Sequence, residues 1–82
     1  MVAVKVKVFG PLRDILSSDE LSVNVPPPHT GEAAFNVLAE AHPKLREWKP
    51  SIRLAVNFEY ASLDRTLHTG DEISFIPPVS GG

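Results

Sequence analysis

The chain of 82 residues contains no cysteine, which excludes disulfide bonds, zinc-thiolate sites and thiol nucleophiles. It also has no excess of basic residues, because eight Lys and Arg stand against ten Asp and Glu and the net charge is −2. A surface for bulk nucleic acid or an anionic membrane needs a basic face, so the composition disfavours both. The sequence lacks the long apolar run that is typical of a signal peptide or a membrane span. The cytoplasm is therefore the expected location.

Proline is abundant by comparison, with eight residues, and five of them lie in "PPP" at 26–28 and "PP" at 77–78. Because proline donates no backbone hydrogen bond, these runs are expected to end strands. A chain of this length is sufficient for one domain. We therefore expect a single domain over residues 1–78 and a flexible C-terminal tail over residues 79–82.

Apolar and polar residues alternate over residues 2–9, "VAVKVKVF", which predicts a half-buried strand. Similar patterns predict strands at 20–25, 52–58, 60–63 and 72–76. The first two strands are expected to pair with each other.

A short helix or turn is expected at "GPLRDILSS", and a longer helix should follow "PPPHT". Thr30 is the expected N-cap of the longer helix, and Pro43 disfavours its continuation past His42. Its predicted apolar stripe consists of Ala34, Phe35, Val37, Leu38 and Ala41. The order β-β-α-β-β-β predicts an α+β fold in which this helix covers the one apolar face of a mixed sheet.

Two apolar side chains interrupt the polar outward face of the predicted sheet. Alternation places Phe9 and Ile76 on this face, at the C-terminal ends of the first and last strands. If these strands are parallel neighbours, both side chains lie on one rim, beside the tail. Two interpretations remain open, a partner surface or strand-end residues that fold back over the core.

The tail "VSGG" carries the candidate reactive group. Gly81 and Gly82 have no Cβ, so a narrow channel in another protein can admit them, and the Gly82 carbonyl is unhindered. A carboxylate is a poor electrophile, so chemistry there requires activation, most simply as an acyl adenylate. The alternative interpretation is an ordinary terminus of small residues.

Four stretches of the sequence resemble the small, sulfur-carrier subunit of molybdopterin synthase: "FGPLRDIL", "AHPKL", "LAVNFEY" and "GDEISFIPPVSGG". The resemblance implies the β-grasp, or ubiquitin-like, fold, with the first and last strands parallel at the centre of the sheet. It also implies that an E1-like adenylyltransferase activates Gly82 with ATP and that a sulfur donor converts it to a thiocarboxylate. The sulfur then passes to cyclic pyranopterin monophosphate and builds the dithiolene of molybdopterin.

The same resemblance implies the partners and the residues that contact them. The partners are the large, catalytic synthase subunit, in a heterotetramer of two small and two large subunits, and the E1-like enzyme. The small subunit is not catalytic alone and is expected to bind no cofactor or metal. The implied interface consists of Phe9, Arg13, Tyr60, Ile76, Pro77, Pro78, Val79 and Ser80. Arg13 has an alternative role as a solvated charge paired with Asp14 or neighbouring carboxylates.

Three other functions remain open at this point. A ubiquitin-like modifier conjugated to lysines through Gly82 has the same terminus, and so does a sulfur carrier for another pathway such as thiamine biosynthesis. A β-grasp binding module without terminal chemistry is the third. His29, His42 and His68 fall in three separate loops without metal-ligand spacing, so surface roles are expected for them.

Overall fold

The computed structural model describes residues 1–78, so the predicted tail of Val79, Ser80, Gly81 and Gly82 lies outside the described residues. The strands are β1 Val2–Val8, β2 Glu20–Val25, β3 Arg53–Val56, β4 Glu59–Ala61 and β5 Glu72–Ile76. The helices are α1 Pro11–Leu16, α2 Gly31–Ala41 and a 3₁₀ helix at Pro43–Trp48. None of these three helices is long and apolar enough to cross a membrane.

The five strands form one mixed sheet in the order β2-β1-β5-β3-β4. The central strands β1 and β5 run parallel, while β1–β2, β3–β4 and β3–β5 are antiparallel pairs. The parallel pair requires a crossover, which contains β2, α2 and β3. This is the β-grasp arrangement, and the predicted α+β fold is confirmed.

The core lies between α2 and the inward face of the sheet. Val6 on β1 and Ile73 on β5 have no exposed surface. Phe35 of α2 packs edge-to-face on Phe75 of β5, with ring centroids 5.2 Å apart. Every fully buried side chain of residues 1–78 is apolar. Hydrophobic burial therefore fixes which face of the sheet remains available for partners.

The start of α2 is built as the sequence predicts. The Thr30 hydroxyl accepts a hydrogen bond from the Ala33 backbone N–H at 3.2 Å, so Thr30 is the N-cap. Gly31 follows it and lies against Leu54 so closely that a Cβ atom would overlap the leucine side chain. The helix therefore begins in direct contact with β3.

The predicted apolar stripe of the helix is wrong at one residue. Ala41 is exposed, and Ala39 is buried instead. Ala39 lies four residues after Phe35 and so shares its face of the helix, whereas Ala41 occupies the last turn, beyond the edge of the core.

Three predicted strands have boundaries that are wrong by one or two residues. β1 ends at Val8, and β3 ends at Val56, because Asn57 and Phe58 form a two-residue hairpin turn with φ values of 49° and 72°. Positive φ at both central residues is typical of the type I′ turn that suits the twist of paired strands. β4 accordingly begins at Glu59 and ends at Ala61. Alternation cannot distinguish a strand end from such a turn.

Candidate functional site

A row of four residues crosses the outward face of the sheet. Lys7 lies opposite Ser74, Ser74 opposite Ala55, and Ala55 opposite Tyr60, on β1, β5, β3 and β4 respectively. Directly paired residues share one face of a sheet, so all four point away from α2. Because the two middle residues are small, the centre of the row is low.

Larger side chains surround this low centre and create a depression of about 370 Å³. We call it the sheet depression, and it is lined by Lys7, Phe9, Ala55, Phe58, Tyr60, Ser74 and Ile76. Three aromatic residues on it are strongly exposed: Phe58 by 85%, Tyr60 by 73% and Phe9 by 48%. An apolar surface of this kind on an otherwise charged sheet is typical of a protein contact.

The structure brings together the three apolar residues that the sequence analysis placed in the interface. Phe9, Tyr60 and Ile76 all line the sheet depression, and Ile76 is only partly buried, so neither it nor Phe9 folds back fully into the core. Their role in binding a partner stays a prediction.

The sheet depression opens beside the base of the tail. Pro77 follows Ile76 directly, and Gly10, which has a φ of 57°, lies so close that a Cβ there would be 3.5 Å from the proline Cγ. Pro77 is partly buried and Pro78 is exposed. Val79, Ser80, Gly81 and Gly82, which complete the predicted site, lie outside the described residues.

Four residues of the sheet depression were absent from the predicted interface: Lys7, Ala55, Phe58 and Ser74. Ala55 was passed over because an alanine on an outward face looks inert, although its small size makes the floor. Phe58 was assigned to the end of a strand and its turn, where periodicity carries no information about direction. The residue type itself could have indicated Phe58, since a phenylalanine in an exposed turn adds nothing to the core and so suggests a contact with another protein.

The charged residues around the sheet depression differ in whether they form ion pairs. Lys7 pairs with Glu72 at 3.5 Å, across the two central strands. By contrast, Arg13 on α1 and Arg53, which lies opposite Ile76 in the ladder, form no ion pair within residues 1–78. The alternative pairing of Arg13 with Asp14 is therefore not seen there. Two free guanidinium groups beside an apolar surface suit a partner that carries carboxylates.

Arg13 also lines a second depression of about 280 Å³, which shares two residues with the first. Its lining consists of Lys7, Val8, Phe9, Arg13, Asp19 and Glu20. Because Lys7 and Phe9 belong to both depressions, a partner seated on the aromatic surface lies within reach of the Arg13 guanidinium.

A hydrogen-bond network holds the turn that carries Phe58. The Asn57 side chain donates to Asp71 Oδ1 at 3.0 Å and accepts from the Glu72 backbone N–H at 3.0 Å. The Asn57 backbone N–H donates to the Glu72 carbonyl at 2.7 Å. The turn is therefore fixed to the start of β5 by three hydrogen bonds.

Asp71 anchors this network in its ionised form. The His68 backbone N–H donates to Asp71 Oδ2 at 2.8 Å, and this bond, with the Asn57 amide, holds the pKa of the carboxyl below its usual value. Hydrogen bonds to a carboxylate favour its charged form, and here they outweigh the opposing effect of burial.

Neither a metal cluster nor a buried catalytic group is found in the described part of the chain. In residues 1–78 no three histidine, aspartate or glutamate side chains are placed to hold a metal ion. His29 and His42 are half-buried and His68 is exposed, each in its own loop. The candidate functional site of this region is thus the sheet depression, together with Pro77 at the base of the tail.

Comparisons with known proteins identify the family of the chain. The model of the ThiS family matches residues 6–82. The molybdopterin synthase sulfur carrier subunit of Arabidopsis thaliana is 31% identical over 81 residues, which cover 99% of this chain and 84% of that protein.

Two solved structures are similar over nearly the whole chain. SAMP1, a small archaeal modifier protein from Haloferax volcanii, has a TM-score of 0.82 at 32% identity, over 98% of this chain and 99% of that one. A chain in the complex of subunits 1 and 2 of the molybdopterin-converting factor from Helicobacter pylori has a TM-score of 0.67 at 26% identity, over 99% and 100%. The chain therefore belongs to the ThiS family of β-grasp proteins, with sulfur-carrier subunits of molybdopterin synthase among its relatives.

Proposed function

We propose that the chain is the sulfur-carrier subunit of a molybdopterin synthase. One observation carries the proposal: an exposed aromatic depression lies beside the base of a segment that contains Gly81 and Gly82, in a chain that matches the ThiS family through residue 82. The relatives named as sulfur-carrier subunits support it.

The proposed chemistry takes place at the Gly82 carboxylate and is supplied by partners. In the E1-like enzyme a carboxylate oxygen attacks the α-phosphorus of ATP, and pyrophosphate leaves. A sulfur donor then attacks the acyl adenylate carbonyl and displaces AMP, which leaves a thiocarboxylate. The large synthase subunit directs this sulfur to cyclic pyranopterin monophosphate, and two such deliveries build the dithiolene. ATP binds the activating enzyme, and this chain is not catalytic alone.

The length of the tail limits where these partners sit. Gly82 lies four residues after Pro78, and an extended chain of four residues spans about 14 Å at most. A partner whose reaction site receives Gly82 must therefore cover the surface around Pro77, which adjoins the sheet depression. The likeness to a chain in a complex of subunits 1 and 2 supports the large subunit as that partner. We propose a heterotetramer of two small and two large subunits, located in the cytoplasm.

The test is intact-mass spectrometry of the protein isolated from its native host. We expect a population whose mass corresponds to one sulfur atom in place of one oxygen at Gly82. The measurement also identifies the last residue of the mature chain. A mature protein that ends elsewhere, or a Gly82 deletion that leaves cofactor synthesis intact, contradicts the proposal.

A second candidate function is favoured by the likeness to the Haloferax modifier protein. In this alternative Gly82 ends in an isopeptide bond to lysines of other proteins. A denaturing blot separates the two functions, because a ladder of larger covalent species indicates a modifier and a single small band indicates a carrier.

A further inference from the structure

Phe58 combines two features that are unfavourable for the folded domain. Its φ of 72° lies in the left-handed region, which is unfavourable for a residue with a bulky side chain. Its ring is 85% exposed and belongs to no part of the core. Asparagine or glycine suits this turn position better, so the fold gives no reason for an aromatic side chain there.

The surroundings of Phe58 hold it in this conformation. The preceding residue, Asn57, makes three hydrogen bonds to Asp71 and Glu72, which fix the turn against β5. The Phe58 side chain lines the sheet depression together with Phe9 and Tyr60. Strained backbone that its surroundings maintain is a feature of binding sites. The backbone that carries the exposed ring is therefore held in a defined conformation.

We propose that Phe58 is an aromatic anchor for the large synthase subunit, which buries this ring when it covers the sheet depression. This inference rests on the proposed function and adds a contact residue to it. Half of the six aromatic residues of the chain line this one surface, and the aromatic stretch begins at the rim beside Pro77. A partner that receives Gly82 starts from that rim and reaches Phe58 by extending across the sheet.

The chemistry of the surface defines what the large subunit presents. Alanine and serine form the floor and aromatic rings the walls, so the matching segment carries apolar side chains that fill a shallow space. The guanidinium groups of Arg13, near Phe9, and Arg53, opposite Ile76, suit carboxylates on the part of the partner that covers this rim. A phenylalanine side chain has only two χ angles, so it loses little conformational entropy on binding, which favours a strong contact.

The experiment measures the Kd between the full-length chain and the purified large subunit of the same organism by isothermal titration calorimetry. The test variant is Phe58→Asn, because asparagine tolerates positive φ and keeps the turn. We expect binding to weaken roughly 10- to 100-fold. We also expect Tm to stay equal or rise, since the backbone strain is relieved, which a merely structural role for Phe58 would not produce.

Glu59→Gln is the matched control, because Glu59 is exposed beside the turn and does not line the sheet depression. Its Kd should equal that of the unchanged chain. Phe58→Gly is a second variant, and it should weaken binding to a similar degree if Phe58→Asn folds poorly.

The outcomes separate this inference from the function on which it rests. An unchanged Kd for a folded Phe58→Asn or Phe58→Gly variant overturns the anchor and leaves the sulfur-carrier function standing. If the unchanged chain itself fails to bind the large subunit and carries no sulfur at Gly82, the proposed function fails and the anchor with it.

Discussion

At the scale of single residues, Asp71 connects the stability of the domain to pH. Its carboxylate accepts hydrogen bonds from the His68 backbone and the Asn57 side chain, and its pKa is lowered in the folded state. A lowered folded-state pKa means that ionised Asp71 stabilises the fold above the unfolded value of about 3.9. This contribution is lost as the pH falls through the folded-state pKa.

We therefore expect Asp71→Asn to lower the free energy of unfolding at neutral pH and to flatten its dependence on pH in acid. The difference from the unchanged protein should disappear at a pH below the folded-state pKa. Urea unfolding at a series of pH values checks this. Asp19→Asn is the control, since the Asp19 side chain accepts none of the hydrogen bonds found in residues 1–78. Equal pH profiles for Asp71→Asn and the control would refute the assignment.

Arg13 should affect the rate of association more than stability. We expect Arg13→Gln to slow binding to the large subunit roughly two- to fivefold at low salt and to reduce the salt dependence of the rate. Stopped-flow measurements at several ionic strengths check this. Arg46→Gln is the control, because Arg46 is an exposed arginine on the 3₁₀ helix, which packs against α2 rather than lining the sheet depression. If both variants associate equally fast, Arg13 does not face the partner.

The positions of side chains at the site were predictable where a strand pattern determined the direction in which they point. Alternation alone placed Phe9 and Ile76 on the outward face, and the family resemblance supplied Tyr60. Phe58 lies in a turn, where the direction of a side chain depends on φ and on hydrogen bonds from distant residues such as Asp71. Leu67 is buried within an irregular segment for the same reason, since no period reveals its environment.

At the scale of elements, the sheet depression depends on small side chains at the centre of β3 and β5. We expect Ala55→Leu to fill the floor and to weaken large-subunit binding roughly tenfold or more. The domain should stay folded, because Ala55 points away from the core side of the sheet. Calorimetric titration and thermal unfolding measure the two effects separately.

Ser22→Leu provides the matched control on the same face. Ser22 lies on edge strand β2, opposite Lys5, and is exposed. It adds the same side chain to the outward surface without lining the sheet depression. If both variants weaken binding equally, the loss comes from added surface hydrophobicity and not from the filled floor.

The elements themselves followed from the sequence more readily than their ends. The helix α2 was marked by the Thr30 cap and by Pro43, and these local signals act within a few residues. The parallel pairing of the first and last strands came from the family resemblance, because it joins residues far apart in the chain. The boundary of β3 was missed because Asn57 and Phe58 continue its apolar and polar alternation into the turn.

At the scale of the whole molecule, the proposed function requires a free carboxylate at the end of the tail. We expect one alanine added after Gly82 to abolish thiocarboxylate formation and sulfur transfer, because the Gly82 carbonyl becomes part of an amide. Thermal stability should not change, since residues 1–78 contain the core. Intact-mass spectrometry and a reconstituted synthase assay check both expectations. Retained sulfur transfer would rule out the carrier mechanism.

The parallel pairing of β1 and β5 separates Met1 from the C-terminal end of β5. β5 leads out beside the Phe9 end of β1, while Met1 lies at the far end of that strand and is 83% exposed. Seven residues of strand span about 20 Å. An affinity tag or surface tether fused ahead of Met1 should therefore leave the Ile76 end of β5 and the sheet depression beside it far from the support, which suits immobilised formats for capturing partners.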